Sequence, residues 1–202
     1  MKSQRGNRSI DMVQDARQLK RTTVEQYLAI DDASEVKHEF RDGVVYAMGG
    51  ATDDHGRIAM NLGAAIYGQL PDRCDVFQGD MRLKYKAANE AEYYYPDVLV
   101  TCSDLDRSKI FREHPTLIIE VLSPSSERID RGEKFLAYTQ IASLMEYAIV
   151  AQSVPQIDIF RRSDAWRGAS YFREDSITFE SIGLTLPVPQ IYRRVNFGLA
   201  IG

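Results

Sequence analysis

Cysteine and histidine are scarce in this chain of 202 residues, which contains two cysteines and three histidines. Cys74 and Cys102 share no close spacing with each other or with a histidine, so the sequence does not indicate a zinc site. The two cysteines could form a disulfide. Because Cys102 ends an apolar, strand-like run, we instead expect two small buried thiols in a reducing compartment.

Long apolar runs are also missing. No run approaches the roughly 18 residues of a membrane-spanning helix, and the first 21 residues lack the apolar core of a secretory signal. We therefore expect a cytoplasmic protein that makes no contact with a membrane. Hydrophobic residues nevertheless make up 44% of the chain and aromatic residues 10%, which excludes a disordered tail and indicates a globular domain.

Acidic residues outnumber basic ones, so that the formal net charge is −4. Residues 1–21 run against this trend, with six basic residues and two acidic ones. We interpret residues 1–21 as a basic, flexible leader, residues 22–195 as one domain and residues 196–202 as a tail. The acidic balance argues against binding to nucleic acid through bulk positive charge, so any such binding needs a local basic surface.

The first half of the domain carries clear local signals. Thr23 is a plausible N-cap of a short helix. An Asp42-Gly43 turn between β-type residues predicts a hairpin. Apolar residues that recur every four positions predict an amphipathic helix over 55–70 that packs on a sheet; they are Ile58, Leu62, Ile66 and Leu70.

The later segments are mostly β-type. Residues 76–78 and 81–85 are expected to be extended, residues 84–92 to form a polar loop, and residues 93–100 to form one nearly unbroken strand. Strands over 117–122 and 146–150 flank a helix that is capped at Asp130 or a nearby residue. Such a βαβ unit makes the two strands parallel. Three short segments, 156–161, 166–172 and 177–179, are expected to form an antiparallel meander.

Two carboxylates lie inside apolar strand segments, where an isolated charge is costly. Asp97 lies in Tyr-Tyr-Tyr-Pro-Asp-Val-Leu-Val and Glu120 lies in Leu-Ile-Ile-Glu-Val-Leu. If these strands are neighbours, the two carboxylates converge, and a cation would relieve their repulsion. Oxygen ligands of this kind favour Mg²⁺ or Mn²⁺.

Other polar residues are candidates for the same site. Glu39 adds a third acid beside the first strand, and Lys134, near the start of the crossover helix, could stabilise charge on a phosphate. His55 and Arg82 are candidate substrate-binding residues. Each has a structural alternative. Asp97 could accept backbone hydrogen bonds, Glu39 could be a solvated carboxylate beside an exposed hairpin, and His55 could be a helix-end group. Ordinary ion pairs would account for the others, which are Glu120, Lys134 and Arg82.

The order Glu39, Pro96-Asp97, Glu120 and Lys134 resembles the PD-(D/E)xK phosphodiesterase superfamily. Over residues 22–195, further motifs make the chain similar to the bacterial putative restriction endonuclease family within it. These motifs are His55-Gly56-Arg57-Ile58, Gly79-Asp80-Met81-Arg82, Tyr95-Pro96-Asp97-Val98, Glu120-Val121-Leu122-Ser123-Pro124-Ser125 and Asp130-Arg131-Gly132-Glu133-Lys134.

The resemblance implies an α/β fold with a mixed sheet, a βαβ crossover and a restriction-endonuclease-like core. It also implies that Asp97 and Glu120 bind Mg²⁺, with Glu39 as an auxiliary acid. In one respect the chain departs from the superfamily pattern, which has a lysine two residues after the second acid. Leu122 stands at that position, and Lys134 is the candidate for a relocated lysine.

The expected function is therefore Mg²⁺-dependent hydrolysis of DNA phosphodiester bonds. The alternative is a catalytically reduced module on the same fold that binds nucleic acid or protein. A third class, a sugar or small-molecule enzyme with paired carboxylates, is disfavoured by the nearby lysine. A homodimer is expected only because cleavage of two strands needs two sites, since no apolar stripe marks an interface.

Overall fold

The computed structural model describes residues 21–87, 90–123 and 126–197. No helix in these ranges is long and apolar enough to cross a membrane. The helices are α1 (Val24–Ala33), α2 (Asp53–Tyr67), α3 (Glu127–Ile129), α4 (Phe135–Thr139) and α5 (Val188–Ile191), and a π-helical turn over Asp130–Lys134 joins α3 to α4. The strands are β1 (His38–Arg41), β2 (Val44–Ala47), β3 (Asp75–Gln78), β4 (Arg82–Lys86), β5 (Ala91–Tyr94), β6 (Val98–Thr101), β7 (Phe111–Arg112), β8 (Leu117–Leu122), β9 (Glu146–Ala151), β10 (Gln156–Arg161), β11 (Gly168–Phe172), β12 (Ser176–Phe179) and β13 (Leu184–Pro187).

A six-stranded mixed sheet forms the centre of the protein, in the order β11-β10-β9-β8-β6-β3. Strands β8 and β9 are parallel, with Glu120 opposite Ile149, and the segment α3–π turn–α4 connects them. The predicted βαβ unit is therefore confirmed. The other pairs in this sheet are antiparallel, including β6 with β8. The expected α/β fold with a mixed sheet is what the structure shows.

A five-stranded sheet, in the order β2-β1-β5-β4-β7, packs beside the central one. Its first hairpin is the predicted one, because Asp42 and Gly43 both have positive φ angles, 45° and 74°, as a tight hairpin turn requires. The predicted helix before it is α1, in which the Thr23 side chain accepts a hydrogen bond from the Gln26 backbone N–H. Thr23 and Gln26 complete a capping box.

Two expectations about residues 84–100 were wrong. The segment over 84–92 is not simply a loop, because it includes the end of β4 and the start of β5, which pair as an antiparallel hairpin. The strand over 93–100 is broken at residues 95–97, so that β5 lies in the five-stranded sheet and β6 in the six-stranded one. Pro96 lies at this break, where its missing N–H removes a possible ladder bond.

A second break lies beside the first, between β3 and β4. Residues 79–81 separate β3, in the six-stranded sheet, from β4, in the five-stranded sheet. Gly79 takes a positive φ of 64°, and its N–H donates to the Asp97 carbonyl at 3.1 Å. Both segments, 79–81 and 95–97, thus pass from one sheet to the other at a shared corner. Asp97 lies at this corner, at the end of the central sheet.

Alternating side chains of the central sheet serve two cores. Leu117, Ile119 and Val121 of β8 pack with α2, α5 and the β12–β13 hairpin. Ile118 and Leu122 face the other way, into a cluster with Tyr138 of α4 and side chains from the five-stranded sheet. Glu120 shares this second face by strand alternation. Because side chains alternate between the two faces along β8, Glu120 points towards the crossover helix.

Three further expectations need correction. The meander ends at β11, because β12 pairs with β13 in a separate two-stranded sheet. The crossover helix begins at Glu127, so Asp130 does not cap it and lies inside the π turn. Cys74 and Cys102 form a disulfide instead of two thiols, because they are the next cross-strand neighbours beyond the Asp75–Thr101 pair of β3 and β6.

Some expectations fall outside the described residues. These are nearly all of the basic leader over 1–21, the last part of the tail over 196–202, and Pro124 and Ser125 of one family motif.

Candidate active site

Three carboxylates surround one ammonium group between the two sheets. The Lys134 Nζ atom lies 3.0 Å from Glu39 Oε1, 3.0 Å from Glu120 Oε1 and 3.2 Å from Asp130 Oδ1. All four side chains are buried. The cluster joins β1, β8 and the crossover segment, so three predicted site residues, distant in sequence, meet at one point.

The crossover segment presents polar groups to β8 at intervals of four residues. Asp130, Lys134 and Tyr138 follow one another along one side of it, and the Tyr138 hydroxyl donates to Glu120 Oε1 at 2.9 Å. Glu120 Oε1 therefore accepts from both Lys134 and Tyr138. The π turn that contains Asp130 and Lys134 is a feature found most often at functional sites.

Asp97 lies at the corner between the sheets, immediately before β6. Its Oδ2 atom accepts a hydrogen bond from the Val121 backbone N–H at 2.7 Å, and its own N–H donates to Glu120 Oε2 at 3.4 Å. The Nε2 atom of His55, on the first turn of α2, lies 3.2 Å from Asp97 Oδ2. Asp97 and Glu120 are therefore adjacent, as predicted, and His55 joins them from the opposite face of the sheet.

Electrostatics at the Lys134 cluster are dominated by burial and by an excess of negative charge. Burial raises the pKa of Glu120 well above its ordinary value, and neighbouring carboxylates add to the shift, although the Lys134 charge opposes it. Burial alone would lower the pKa of Lys134. The three carboxylates outweigh it, so the pKa of Lys134 is raised and the lysine is charged.

Asp130 and His55 also have raised pKa values. For Asp130 the main cause is again burial, with Lys134 opposing the shift. For His55, burial favours the neutral ring, but the hydrogen bond and charge of Asp97 outweigh it. The imidazole is thus biased towards its protonated form beside Asp97.

Leu122 and Lys134 together explain the departure from the superfamily pattern. Leu122 is buried in the same cluster as Tyr138, on the face of β8 that the crossover segment covers. Lys134 approaches Glu120 over that face, from the helix and not from the strand. Lys134 thus contacts the second acid, and its role as a relocated lysine stays a prediction.

Arg82 is not brought to this cluster. Its guanidinium is buried and contacts Asp31 and Asp32 at 2.7 and 2.5 Å, and its Nε donates to the Tyr95 hydroxyl at 2.7 Å. Of the two interpretations open from the sequence, the ion pair is the one that the structure shows. The contacts of Arg82 connect α1 to β4 and to the corner.

Several side chains of the site were missed from the sequence. Asp130 is predicted as a cap, as a neighbour that pairs with Lys134 and as part of a family motif, and Tyr138 as an apolar helix residue, but neither is predicted as a site residue. Arg41 Nη1 lies 2.9 Å from Glu133 Oε2, and its Nε lies 3.9 Å from Glu39 Oε2. The spacing 130/134/138 was the available signal, because it places an acid, a base and a phenol on one side of a helix.

The donor set suits a divalent cation of the magnesium type. Glu120 Oε1 is engaged by Lys134 and Tyr138, whereas Oε2 accepts from the Asp97 backbone N–H at 3.4 Å. Mg²⁺ is commonly bound by one or two carboxylates, with water and substrate phosphates completing its shell. Among the described residues, no three His, Cys, Asp or Glu side chains form a metal-binding group. Asp97 and Glu120 fit an open two-carboxylate site and not a closed zinc site.

Comparison with known proteins assigns the chain to a family. Residues 24–189 match the Uma2 family, described as "Putative restriction endonuclease", and the chain belongs to this family. The "Uncharacterized protein slr1290" of Synechocystis sp. (strain ATCC 27184 / PCC 6803 / Kazusa) is 38% identical over 176 residues, which cover 86% of this chain and 92% of that protein. A second protein of the same strain, "Uncharacterized protein sll1609", is 32% identical over 144 residues, covering 69% of this chain and 80% of the relative.

A solved structure shares the fold. The crystal structure of a putative nuclease belonging to DUF820 from Anabaena variabilis ATCC 29413 matches with a TM-score of 0.69 over 84% of this chain and 97% of that one. The sequence identity is 16%, so the likeness concerns the fold. The family suggested by the sequence motifs is thereby confirmed, and so is the fold class.

Proposed function

We propose that the protein is a nuclease that hydrolyses DNA phosphodiester bonds with a divalent cation, Mg²⁺ or Mn²⁺, at the Asp97–Glu120 edge. Membership of a family described as "Putative restriction endonuclease" supports this proposal, as does the fold shared with the DUF820 protein that is described as a putative nuclease. The observation that carries it is the contact of 3.0 Å between Lys134 Nζ and Glu120 Oε1, beside Asp97. Two acids and a lysine at one sheet end are the parts that phosphodiester hydrolysis requires.

Asp97 and Glu120 would hold the cation, which would supply positive charge beside the scissile phosphate. The protein prepares both acids for this role. The Val121 N–H fixes Asp97 Oδ2, and Lys134 and Tyr138 fix Glu120 Oε1, so neither carboxylate can rotate away without losing hydrogen bonds. Preorganised ligands of this kind lower the reorganisation needed when substrate binds.

Lys134 has a second role as the permanent cation of the site. Its ammonium offsets part of the charge of Glu39, Glu120 and Asp130, so that an anionic phosphate can approach this edge. Glu39 in turn helps to hold the lysine, because its Oε1 lies 3.0 Å from Lys134 Nζ and accepts a hydrogen bond from the Tyr95 backbone N–H at 3.5 Å.

His55 is the titratable group best placed to move a proton. Hydrolysis forms a phosphorus–oxygen bond to water and breaks the ester bond, and the departing oxygen must gain a proton. The His55 ring lies 3.2 Å from Asp97 Oδ2. His55 would therefore lie beside the bound phosphate, where it would pass a proton to the departing oxygen.

The test is cleavage of supercoiled and linear DNA in Mg²⁺ or Mn²⁺, with EDTA as the metal-free control. We expect Asp97→Asn, Glu120→Gln and Lys134→Met to lower the cleavage rate about 100-fold or more, because each removes preorganised charge at the reacting phosphate. Asp104→Asn and Glu174→Gln make the same chemical changes at exposed positions and should cleave at the wild-type rate.

Metal binding is measured separately from cleavage. A cation that binds only the folded protein raises its melting temperature, so Mg²⁺ should stabilise the wild type and not the Asp97→Asn/Glu120→Gln variant. Intact DNA in both metals and on several sequences would contradict the nuclease proposal. Cleavage at full rate by Asp97→Asn or Glu120→Gln would contradict the assignment of the site.

One observation favours a second candidate, a nucleic-acid-binding module that has lost cleavage. Three carboxylate oxygens lie within 3.2 Å of the Lys134 ammonium, and Leu122 stands where the superfamily pattern has its lysine. A lysine committed to three acids can be purely structural. Thermal stabilisation by Mg²⁺ together with DNA binding and no cleavage would favour this candidate.

A further inference from the structure

A second polar feature lies next to the candidate active site, on the opposite face of the central sheet. An open depression of about 410 Å³ lies on the surface between the first turns of α2 and the segment that follows α5, and Asp53 is among the residues that line it. We call it the arginine cavity, because three arginines contribute to its wall: Arg57, Arg193 and Arg194. None of the sequence motifs or expected roles accounts for Arg193 and Arg194.

The arginine cavity opens at the same end of the sheet as Asp97 and Glu120. Its lining residues Thr52 and Gly56 flank His55, which contacts Asp97. The Thr52 hydroxyl donates to Gln152 Oε1 at 2.7 Å, and Gln152 follows the end of β9, where Ala151 pairs with the end of β8. A strand of nucleic acid held at the carboxylates would therefore pass close to the cavity.

The three arginines differ in how their charge is compensated. Arg57 Nη1 lies 2.6 Å from Asp53 Oδ2 and 3.2 Å from Asp54 Oδ1, so its charge is largely offset. Arg193 and Arg194 are exposed, and neither has an ion-pair partner within the described part of the chain. In a protein with a net charge of −4, two adjacent uncompensated arginines form a local positive site.

The backbone that carries these arginines is held in place. The Asn61 side-chain amide of α2 donates to the carbonyls of Ile191 and Arg193, both at 2.9 Å. Arg194 takes a φ of 66°, in the left-handed region, which turns the chain sharply after the arginine pair. Two guanidinium groups are thus presented from a fixed turn.

We propose that the arginine cavity binds backbone phosphates of the DNA strand whose scissile bond lies at Asp97 and Glu120, with Arg193 and Arg194 as the contacts. This inference rests on the proposed function for the identity of the strand. Guanidinium groups bind phosphate oxygens in a bidentate fashion, and contacts to backbone phosphate carry no base preference. Arg193 and Arg194 are therefore positioning residues, which set where the strand lies.

The test measures binding in EDTA, so that cleavage does not interfere. Fluorescence anisotropy with a 20-base-pair duplex is recorded across a salt series for the wild type and for Arg193→Ala/Arg194→Ala. Each lost phosphate contact should make the slope of log K against log salt less negative by about 0.9, giving about 1.8 for the pair. The affinity near 0.1 M salt should fall on the order of tenfold or more, equally for duplexes of different sequence.

A matched control removes the same charge elsewhere. Arg73 and Arg107 are exposed, have no ion-pair partner in the described residues, and flank the far ends of β3 and β6, away from Asp97. Arg73→Ala/Arg107→Ala should bind DNA with nearly the wild-type slope. Equal losses in both double variants would show that only net charge matters and would overturn the inference.

The remaining outcomes separate this inference from the proposed function. If the wild type binds DNA through Arg193 and Arg194 but never cleaves it, the arginine cavity stands and the nuclease proposal fails. If the wild type cleaves and Arg193→Ala/Arg194→Ala binds as the wild type does, the cavity fails alone. Absence of DNA binding by the wild type, or tight binding of a deoxynucleoside monophosphate instead, would also overturn the inference.

Discussion

Lys134 and Glu120 are coupled at the scale of single residues, because each is buried and neither could keep its charge alone. The ammonium has three carboxylate partners, and Glu120 Oε1 has two donors. Removing one member of a buried ion pair leaves the others uncompensated, which costs about 3–5 kcal/mol. The same residues are therefore expected to matter for stability and for catalysis.

We predict that Lys134→Met lowers the free energy of unfolding by about 3–5 kcal/mol, because it removes the ammonium group that three buried carboxylates contact. The variant Lys134→Met/Glu120→Gln removes one positive and one negative charge and should recover part of this loss, while remaining inactive on DNA. Urea denaturation of both variants and of Glu120→Gln measures the coupling. A double variant whose loss equals the sum of the two single losses would show that the two residues are not coupled.

The sequence was informative about some of these residues and silent about others. Asp97 and Glu120 stand out because a charge inside an apolar strand needs a partner. Asp130 and Tyr138 do not stand out, because acidic and phenolic side chains on a helix are ordinary at its surface. Only the packing of the crossover segment against β8 buries them beside Glu120.

At the scale of elements, the corner between the two sheets places Asp97. Local preference for extended structure is the same on both sides of Pro96, so the pattern over 93–100 predicts one strand. Which sheet each half joins depends on partners distant in sequence: β5 pairs with β1 and β4, and β6 pairs with β3 and β8. The break is a tertiary feature with one local signal, Pro96.

Gly79 forms the other half of this corner and allows a sharp prediction. Its φ is 64°, and a Cβ added there would meet no atom within 4 Å. Gly79→Ala should therefore lower the free energy of unfolding by about 1–2 kcal/mol through backbone strain alone. Gly79→Asn should cost less, since asparagine tolerates the left-handed region. Thermal or urea unfolding measures both, and an Asn variant less stable than the Ala variant would contradict this account.

At the scale of the whole molecule, buried ion pairs connect the elements. Asp31 of α1 shows this best, because its Oδ2 accepts from the Tyr95 hydroxyl at 2.6 Å and from Arg82 Nε at 2.9 Å. Its Oδ1 accepts from the His38 backbone N–H at 2.7 Å. One carboxylate thereby links α1 to β1, to β4 and to the corner.

The pH dependence of stability follows from the pKa of Asp31. Burial disfavours its charged form, but the hydrogen bonds from Tyr95 and Arg82 outweigh burial, so the pKa is lowered. A lowered pKa in the folded state stabilises the protein fully above the pKa of the unfolded chain, near pH 4, and this contribution is lost as pH falls through the folded value.

We predict that Asp31→Asn lowers the free energy of unfolding by about 2 kcal/mol at pH 7, and that the difference from the wild type shrinks as pH falls below about 4. Urea unfolding from pH 7 to pH 3 gives both quantities. Asp32→Asn is the control, because Asp32 also contacts Arg82 but its side chain is 62% exposed. A difference for Asp31→Asn that stays constant across this range would contradict the account.

The net charge of −4 can be interpreted once the positions of the charges in the whole molecule are known. Part of the negative charge is buried with Lys134, and Arg193 and Arg194 form an uncompensated positive site nearby. The average over the chain argues against nucleic acid, but affinity depends on charge within about a Debye length of the phosphates. An acidic protein can therefore still present a basic surface to DNA.

The amino-acid sequence by itself determined the short-range features: the capped first helix, the Asp42-Gly43 hairpin and the period of two along β8, because each depends on neighbouring residues. It also singled out Asp97 and Glu120, through the cost of charge in an apolar strand. Only the tertiary structure decided how the strands divide between two sheets, the pairing of Cys74 with Cys102, and the enclosure of Lys134 by three acids. These depend on contacts between residues far apart in the chain, which local pattern does not specify.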